Sequence, residues 1–224
     1  MSGEHTPPQH SLRSRLLLLS GATFLLCAAE GEAVSLRLRH QRVGRYEGRP
    51  LPVRVLDPAG KEAARVTVPL GQEAACTFTA GRTGTFRIEC APKQHTVGIA
   101  ASSHPVCIAG QRGEVHLLGT TGDFYFWVPA STRHFGLRFQ GEGEGERLTA
   151  AVFDAAGRKR WEQADIAMSK SFRLQRDAAS QGEVWRLHVS RPGVGVLEDC
   201  HVELRGLPPV LGFSAEDLLR PAPR

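Results

Sequence analysis

The aromatic run Phe-Tyr-Phe-Trp at 124–127 contains the side chains that could most directly bind a ligand. Successive side chains of a β-strand point to opposite faces, so the two phenylalanines can face a core while Tyr125 and Trp127 face the other way. Two aromatic rings on one outer face can form a stacking platform for sugar rings. The same spacing also fits a strand that is buried on both faces. Trp161, in a charged stretch, is a second candidate with the same two interpretations.

Two cysteines could form a disulfide. Cys76 and Cys90 flank a predicted hairpin centred near Thr83, so they can face each other across it. Two buried free thiols, which behave as small apolar groups, fit the same pattern. The chain has no Cys-x-x-Cys spacing, which excludes the usual structural zinc motif.

The remaining polar residues show no catalytic spacing. The nine histidines are dispersed, and His188 and His201 lie on predicted strands, where a satisfied histidine is the simpler interpretation. The glutamates of Gly-Glu-Gly-Glu-Gly-Glu at 141–146 would repel phosphate, and the loop lacks the fixed bend of a calcium site. No Gly-x-Ser-x-Gly, Walker or helical metal motif is present. We therefore predict no catalytic residue, no metal site and no cofactor, and expect that the chain is not an enzyme.

The fold class follows from the hydrophobic period, which is two throughout the chain. Apolar and polar residues alternate in many short segments, and 24 Gly and 14 Pro interrupt them. This pattern predicts an all-β fold of antiparallel sandwich or barrel type. The segment after Ser214 is the exception, because a capping serine followed by Leu218, Leu219 and Pro221 predicts a short C-terminal helical turn.

A repeated motif predicts the domain organisation. Asp57-Pro-Ala-Gly and Asp154-Ala-Ala-Gly each follow an apolar strand and fit a type I turn. The segments before and after them also correspond. We therefore predict two tandem antiparallel β-sandwich modules of jelly-roll or immunoglobulin-like type, at 34–110 and 114–211, followed by a tail at 212–224. One larger sandwich whose strands look alike is the alternative.

The N-terminal segment is typical of a signal peptide. Arg13 and Arg15 precede an apolar run at 16–27, and small residues follow. This order predicts a cleavable signal at 1–29, a mature chain that begins at Glu30, and export to the periplasm or the extracellular space. The run is too short to span a bilayer as a helix. The formal net charge of +5 is spread through the chain, so we expect no nucleic-acid partner.

The second predicted module resembles a known family. The stretch "DFYFWVPASTRHFGLRFQGEGEGERLTAAVFDAAGRKRWE" at 123–162, followed by "GEVWRLHVSRPG", resembles the pre-peptidase C-terminal domain of secreted bacterial proteins. The resemblance covers about ninety residues and implies an exported, non-catalytic sandwich that binds carbohydrate or another polymer. Members often have acidic residues before the "D-P-x-G" strand that can hold a calcium ion, whereas this chain has Glu-rich "GEGEGER" there, with Arg147 and no Asp.

These observations lead to two functional hypotheses. The first is an exported, non-catalytic binding or accessory module for polysaccharide or cell-envelope polymer, with Tyr125, Trp127 and Trp161 as its ligand-binding residues. The second is a structural module that docks onto another secreted or envelope protein. Exposure of Tyr125 and Trp127 in a groove would favour the first hypothesis, and coverage of both would favour the second.

Overall fold

The computed structural model describes residues 16–111, 113–176 and 181–220. These residues form strands joined by turns and loops, with no helix among them, and none of their segments could cross a membrane as a helix. The strands are β1 Leu18–Ala28, β2 Ala33–Gln41, β3 Leu51–Leu56, β4 Glu62–Val68, β5 Glu73–Thr79, β6 Gly84–Ser102, β7 Val106–Ala109, β8 Glu114–Leu118, β9 Gly122–Val128, β10 His134–Gly141, β11 Leu148–Phe153, β12 Lys159–Ile166, β13 Lys170–Gln175, β14 Glu183–Ser190, β15 Asp199–Arg205 and β16 Val210–Leu211.

The all-β prediction is confirmed. Twelve strands form one sheet, whose main path is β13-β10-β15-β8-β1-β6-β2-β5, and β12-β11-β14-β9 form a second sheet. All the pairings between named strands are antiparallel. The alternating apolar side chains meet in one continuous core, which includes Phe24, Phe86, Phe126 and Trp185. Burial of these rings is the main stabilising contribution to such a fold.

The apolar run at 16–27 lies inside the fold. It forms most of β1, which pairs with β6 along one edge and with β7 and β8 along the other. Phe24 and Leu26 are fully buried, whereas Cys27 is exposed. The described fold therefore includes residues that the sequence pattern assigned to a cleaved segment, and cleavage after Ala29 would remove a central strand. The basic residues before Leu16 lie outside the described residues.

The two halves of the chain have the same strand pairing. In the N-terminal half (β1–β7), β2 pairs with β5 and β6, and β3 pairs with β4 and β6. In the C-terminal half (β8–β16), β10 pairs with β13 and β15, and β11 pairs with β12 and β14. The single long pairing of β1 with β6 corresponds to two pairings in the C-terminal half, β8 with β15 and β9 with β14. Long β1 and β6 thus each match two strands of the C-terminal half.

The long strands β1 and β6 bend where their halves meet. Ser20 and Lys93 are opposite each other, and both have a positive φ, of 63° and 58°. The register shifts on either side of this pair. Non-glycine residues rarely adopt this conformation, which marks a bulge that turns a strand from one face of a sandwich to the other.

The two Asp-x-Ala-Gly motifs form equivalent turns. Asp57 Oδ1 accepts hydrogen bonds from the amides of Ala59 and Lys61, at 2.9 and 2.8 Å. Asp154 Oδ1 accepts bonds from the amides of Ala156 and Arg158, both at 3.0 Å. The glycine that ends each turn has a positive φ, of 82° and 76°. A side-chain oxygen that satisfies two turn amides, with glycine at the left-handed position, explains why both motifs keep Asp and Gly.

The C-terminal segment at 210–220 joins the two halves. β16 pairs with β7 of the N-terminal half, while the backbone of Gly212 exchanges two hydrogen bonds with Tyr125 of β9. Ser214 accepts a bond from the amide of Asp217 at 3.0 Å, which is the predicted capping contact. The residues after it form bends without the predicted helical turn.

Candidate functional site

The two aromatic residues of β9 that point away from the core lie beside the C-terminal segment. Tyr125 and Trp127 are half-buried, and the segment at 210–220 lies beside both. The Arg220 guanidinium lies 5.4 Å from the centre of the Trp127 ring. A Cβ atom at Gly182 would come within 2.0 Å of that ring, so only glycine fits there. The C-terminal segment thus contacts both residues of this pair, and their role in ligand binding stays a prediction.

Trp161 also packs against the protein. Its ring stacks on Phe172 with 3.7 Å between ring centres and lies parallel to Phe139 at 5.6 Å. Trp161 is on β12 and Phe172 on β13, which are end strands of the two sheets. The stack therefore closes one side of the sandwich, and this explains an aromatic residue in a charged stretch.

Cys76 and Cys90 are free, buried thiols. The predicted hairpin between them does not form, because Cys76 on β5 lies opposite Leu36 of β2, whereas Cys90 on β6 lies opposite Val53 of β3. The two thiols therefore belong to strands with different partners. Burial raises the pKa of Cys76, and it raises the pKa of Cys90 to about 12.

An open groove lies at one end of the N-terminal half. The loop before β3 and the bend of β6 frame a volume of about 850 Å³. Three prolines stiffen its walls, and its rim includes Glu47, Arg49, Lys93 and Gln94. Within the described part of the chain, no residue pairs with the side chain of Arg49 or Lys93. The groove thus offers two unpaired cations next to one acid.

An exposed aromatic ring lies on the same loop. Tyr46 is 58% exposed, in contrast to the covered rings of β9. Arg45 precedes it and is also exposed without a described partner. An aromatic ring beside unpaired cations is a surface suited to a polymer that has apolar ring faces and anionic groups.

Two histidines form the floor of this groove. His40 and His95 are buried, and their rings meet edge to face at 5.6 Å. His40 Nδ1 lies 3.3 Å from the carbonyl oxygen of Val68, and an N–H must donate there because a carbonyl only accepts. Burial lowers the pKa of His40, so it is neutral, and its Nε2 is an acceptor without a described partner.

A second cluster lies at the junction of the two halves. His116 of β8 and His201 of β15 face each other, and their rings stack at 4.0 Å. Both Nε2 atoms lie close to one oxygen of Glu142, at 3.2 Å from His116 and 3.3 Å from His201. These three ligand-type atoms all lie within 4.8 Å of one another. Two imidazoles and a carboxylate are ligands that divalent transition metals accept.

The other nitrogen of each imidazole also has a partner. His201 Nδ1 lies 2.8 Å from Glu114 Oε1, and His116 Nδ1 lies 3.2 Å from Ser20 Oγ. Glu114 is in turn paired with Arg138, whose Nε donates to Glu203 Oε2 at 2.6 Å. The rings are thus held from behind by residues of β1, β8 and β10.

The charges in this cluster influence one another. Burial lowers the pKa of His116, and the neighbouring His201 lowers it further, against the opposite effect of Asp199 and Glu142. Burial raises the pKa of Asp199, whose Oδ1 is 3.2 Å from His116 Nε2.

Sequence reasoning missed both sites. His116 and His201 are 85 positions apart and come together only through the β8–β15 pairing, while Glu142 lies in the glutamate loop at 141–146, for which the sequence predicted no metal site. Tyr46 and Arg49 sit in an unremarkable polar loop before β3. No protein-family model and no curated protein matches this chain.

Proposed function

We propose that this chain is a non-catalytic binding module that recognises anionic polysaccharide or a similar envelope polymer, in the groove beside Tyr46. The observation that carries the proposal is the groove lined by the unpaired Arg49 and Lys93, together with the exposed ring of Tyr46 on the loop that forms one of its walls. It replaces Tyr125, Trp127 and Trp161, whose rings are covered or stacked. The resemblance to pre-peptidase C-terminal domains agrees with a binding role.

The proposal includes a tandem architecture of two β-sandwich modules. Its support is the equal strand pairing of the halves and the two equivalent Asp turns. The first module then begins with β1 rather than at residue 34. Its boundary with the second lies between β7 and β8, near the predicted module boundary at 110–114.

The groove indicates the chemical class of the polymer. The neutral His40 at its floor has an acceptor nitrogen, which suits a hydroxyl donor after a small shift of the loop. Arg49 and Lys93 at the rim suit carboxylate groups. A sugar acid presents both groups on one ring, and the ring face can stack on Tyr46. Polymers of uronic acids are therefore the class of ligand that fits the groove best.

A binding experiment with polygalacturonate tests this proposal. The full chain should be retarded in affinity electrophoresis by polygalacturonate and much less by neutral dextran, and salt should weaken the retardation because exposed charges are screened. Tyr46→Ala and the double change Arg49→Ala/Lys93→Ala should each weaken binding about tenfold, which corresponds to about 1.4 kcal/mol.

Arg191→Ala is the matched control, because Arg191 is also exposed and has no described partner but lies in the C-terminal half. It should bind like the parent chain. Equal retardation by dextran would refute the anionic specificity, and no retardation by either polymer would refute the binding site.

Docking onto another protein is the second candidate function. Three large apolar side chains, Met168, Val194 and Val196, are exposed on loops at one end of the C-terminal half. Asp165 Oδ1 holds the amides of Gly193 and Val194, which fixes one loop against the next. Fixed, exposed apolar residues are typical of interaction surfaces. This candidate gains if the polymer does not bind and a Met168→Ser/Val194→Ser change abolishes association with a secreted partner.

A further inference from the structure

We propose that His116, His201 and Glu142 form a binding site for a divalent transition-metal ion of the zinc class. This site is separate from the polymer groove and does not depend on the proposed polymer. Its three ligand atoms come from β8, from β15 and from the first residue of the loop after β10. His116 and His201 lie directly opposite each other on the paired strands β8 and β15.

The separations of the ligand atoms fit one small ion. Zinc binds imidazole nitrogen and carboxylate oxygen at about 2.0–2.2 Å, so ligand atoms at the corners of a tetrahedron lie about 3.3–3.5 Å apart. Glu142 Oε2 lies 3.2 Å from His116 Nε2 and 3.3 Å from His201 Nε2. An ion can therefore enter between these atoms with small rotations of the imidazole rings, and a fourth position remains for water.

The choice of ion follows from the ligand types. Calcium and magnesium prefer six or more oxygen ligands, and this site offers one carboxylate and two nitrogens. Imidazole favours zinc, cobalt, nickel and copper. Zinc and cobalt accept a tetrahedral set of two histidines and one carboxylate, so we expect both to bind and calcium not to compete.

The surroundings match those of ligating histidines. Metal-bound imidazoles usually donate their other N–H to a carboxylate or another oxygen, which fixes the orientation of the ring. His201 has Glu114 in that place, and His116 has Ser20 Oγ. Glu114 is itself fixed by Arg138. A surface ion pair does not require such a chain of supporting contacts, whereas a preorganised site does.

The corresponding positions of the N-terminal half lack these ligands. By strand pairing, Leu18 and Val97 correspond to Leu117 and Cys200, so His116 corresponds to Leu17 and His201 to Gly98. A Cβ atom at Gly98 would come within 2.5 Å of the carbonyl oxygen of Leu16. Leu17 and Gly98 pair in the same way without histidines, so the strand pairing does not require His116 and His201. Among the described residues, the proposed ligands are thus found in the C-terminal half.

Metal titration of the tag-free full chain, after treatment with a chelator, tests the proposal. We expect one Zn²⁺ per chain in calorimetry, displacement by Co²⁺ with the intense visible absorption of tetrahedral cobalt, and no binding of Ca²⁺. Zinc at 100 times its Kd should add about 2.7 kcal/mol to the free energy of unfolding.

Variants assign the ligands. Glu142→Gln and His201→Gln should abolish the cobalt absorption and the zinc-dependent rise in melting temperature. The Glu142 side chain is 52% exposed, so its replacement should leave the metal-free melting curve unchanged and test the site without unfolding. Glu114→Gln should weaken zinc binding by about 10–100-fold, because it holds His201 without touching the ion.

Matched controls are Glu144→Gln, in the same loop, and His188→Gln, an exposed histidine paired with Asp123. Both should bind zinc like the parent chain. Absence of binding heat and of cobalt absorption in the parent chain would overturn the proposal and leave the cluster as an ion-pair network. Unchanged zinc binding by Glu142→Gln and His201→Gln would overturn the assignment of the ligands.

Discussion

The two halves of the molecule share their strand pairing but differ at the positions that could do chemistry. Both keep an Asp turn with the same two amide bonds, and both bury an aromatic ring at the same place, Phe86 in one half and Trp185 in the other. Phe86 lies opposite Leu26, and Trp185 lies opposite Phe126. What is common to the halves is thus what antiparallel pairing and turn geometry require.

The differences lie at the ends of strands and in loops. The N-terminal half has the groove with Tyr46 and Arg49, and the C-terminal half has the His116–His201 pair and the exposed Met168 loop. The shared strand pairing therefore serves as a frame, while the loops and strand ends differ in the binding properties that we propose for them. Ser20 connects the two sites, because it faces Lys93 of the groove and contacts His116 of the cluster.

The largest expected effect comes from removal of residues 1–29. This change deletes β1, including Phe24 and Leu26, whose burial contributes about 1.5–3 kcal/mol each. Loss of a central strand should exceed the 5–15 kcal/mol that stabilises a typical domain. We expect the N-terminal half to unfold while the C-terminal half keeps its own pairings, and ¹H–¹⁵N spectra should show dispersed signals for the second half alone.

Removal of residues 1–15 is the control, since β1 and Leu16 remain. That chain should give the spectrum of the parent protein. A fully dispersed spectrum for the chain that begins at Glu30 would show that β1 is dispensable and would restore the signal-peptide interpretation in full.

The N-terminal segment shows what a local sequence pattern leaves out. An apolar run of twelve residues after two arginines satisfies the description of a signal peptide, and it equally describes a central strand. The internal similarity of the two halves could have distinguished the two interpretations. When their alignment is extended to the N-terminal side of residue 34, "LLSGATFLLCA" corresponds to "LLGTTGDFYFWV". Both segments precede a short turn and the first strand with the Leu-Arg pattern.

The strand class and the two turns could be predicted because they depend on neighbours in sequence. Alternation at Phe124, Phe126 and Val128 correctly predicts their burial. The sites could not be predicted, since His116 meets His201 through a pairing of distant strands, and Cys76 was assigned to the wrong partner strand. Coverage of Trp127 depends on a C-terminal segment whose path no local pattern specifies.

The next effect in size compares the two turns. Asp154 pairs with Arg158 and Arg160 and is nearly buried, whereas Asp57 pairs with Arg82 alone and is more exposed. Asp154→Ala should lower the free energy of unfolding by about 2–3 kcal/mol and Asp57→Ala by about 1–2 kcal/mol, measured by urea denaturation. Equal losses would indicate that the amide bonds, and not the arginine pairs, determine the stability of both turns.

The contribution of Asp154 should depend on pH. Burial alone would raise the pKa of this carboxyl, but the bonds from Arg158 and Arg160 outweigh it and lower the pKa. A lowered pKa in the folded state means that the stabilisation is complete above the ordinary value of about 4 and is lost as the pH falls through the lowered value. The gap between the parent chain and Asp154→Ala should therefore be constant from pH 5 to 7 and narrow below about pH 4. A gap that is unchanged down to pH 2 would contradict this role of its charge.

The smallest expected effect is a difference in thiol reactivity, which does not alter the free energy of unfolding. Cys27 is exposed, whereas the other four cysteines are buried. Burial raises the pKa of Cys107 to about 11 and that of Cys200 to about 12, so only about one thiol in a thousand or fewer is in the reactive thiolate form at pH 8. An aromatic disulfide reagent at pH 8 should therefore find one fast thiol in the folded chain and five in denaturant without reductant. Three thiols in denaturant would indicate a Cys76–Cys90 bridge and contradict the strand pairing of β5 and β6.

Four thiols in denaturant, with no fast phase in the folded chain, would show that Cys27 has been removed, as cleavage after Ala29 predicts. For protein purified from its natural source, the number of thiols thus shows whether β1 is retained or has been removed by processing. A comparison of the two halves requires a chain that retains β1.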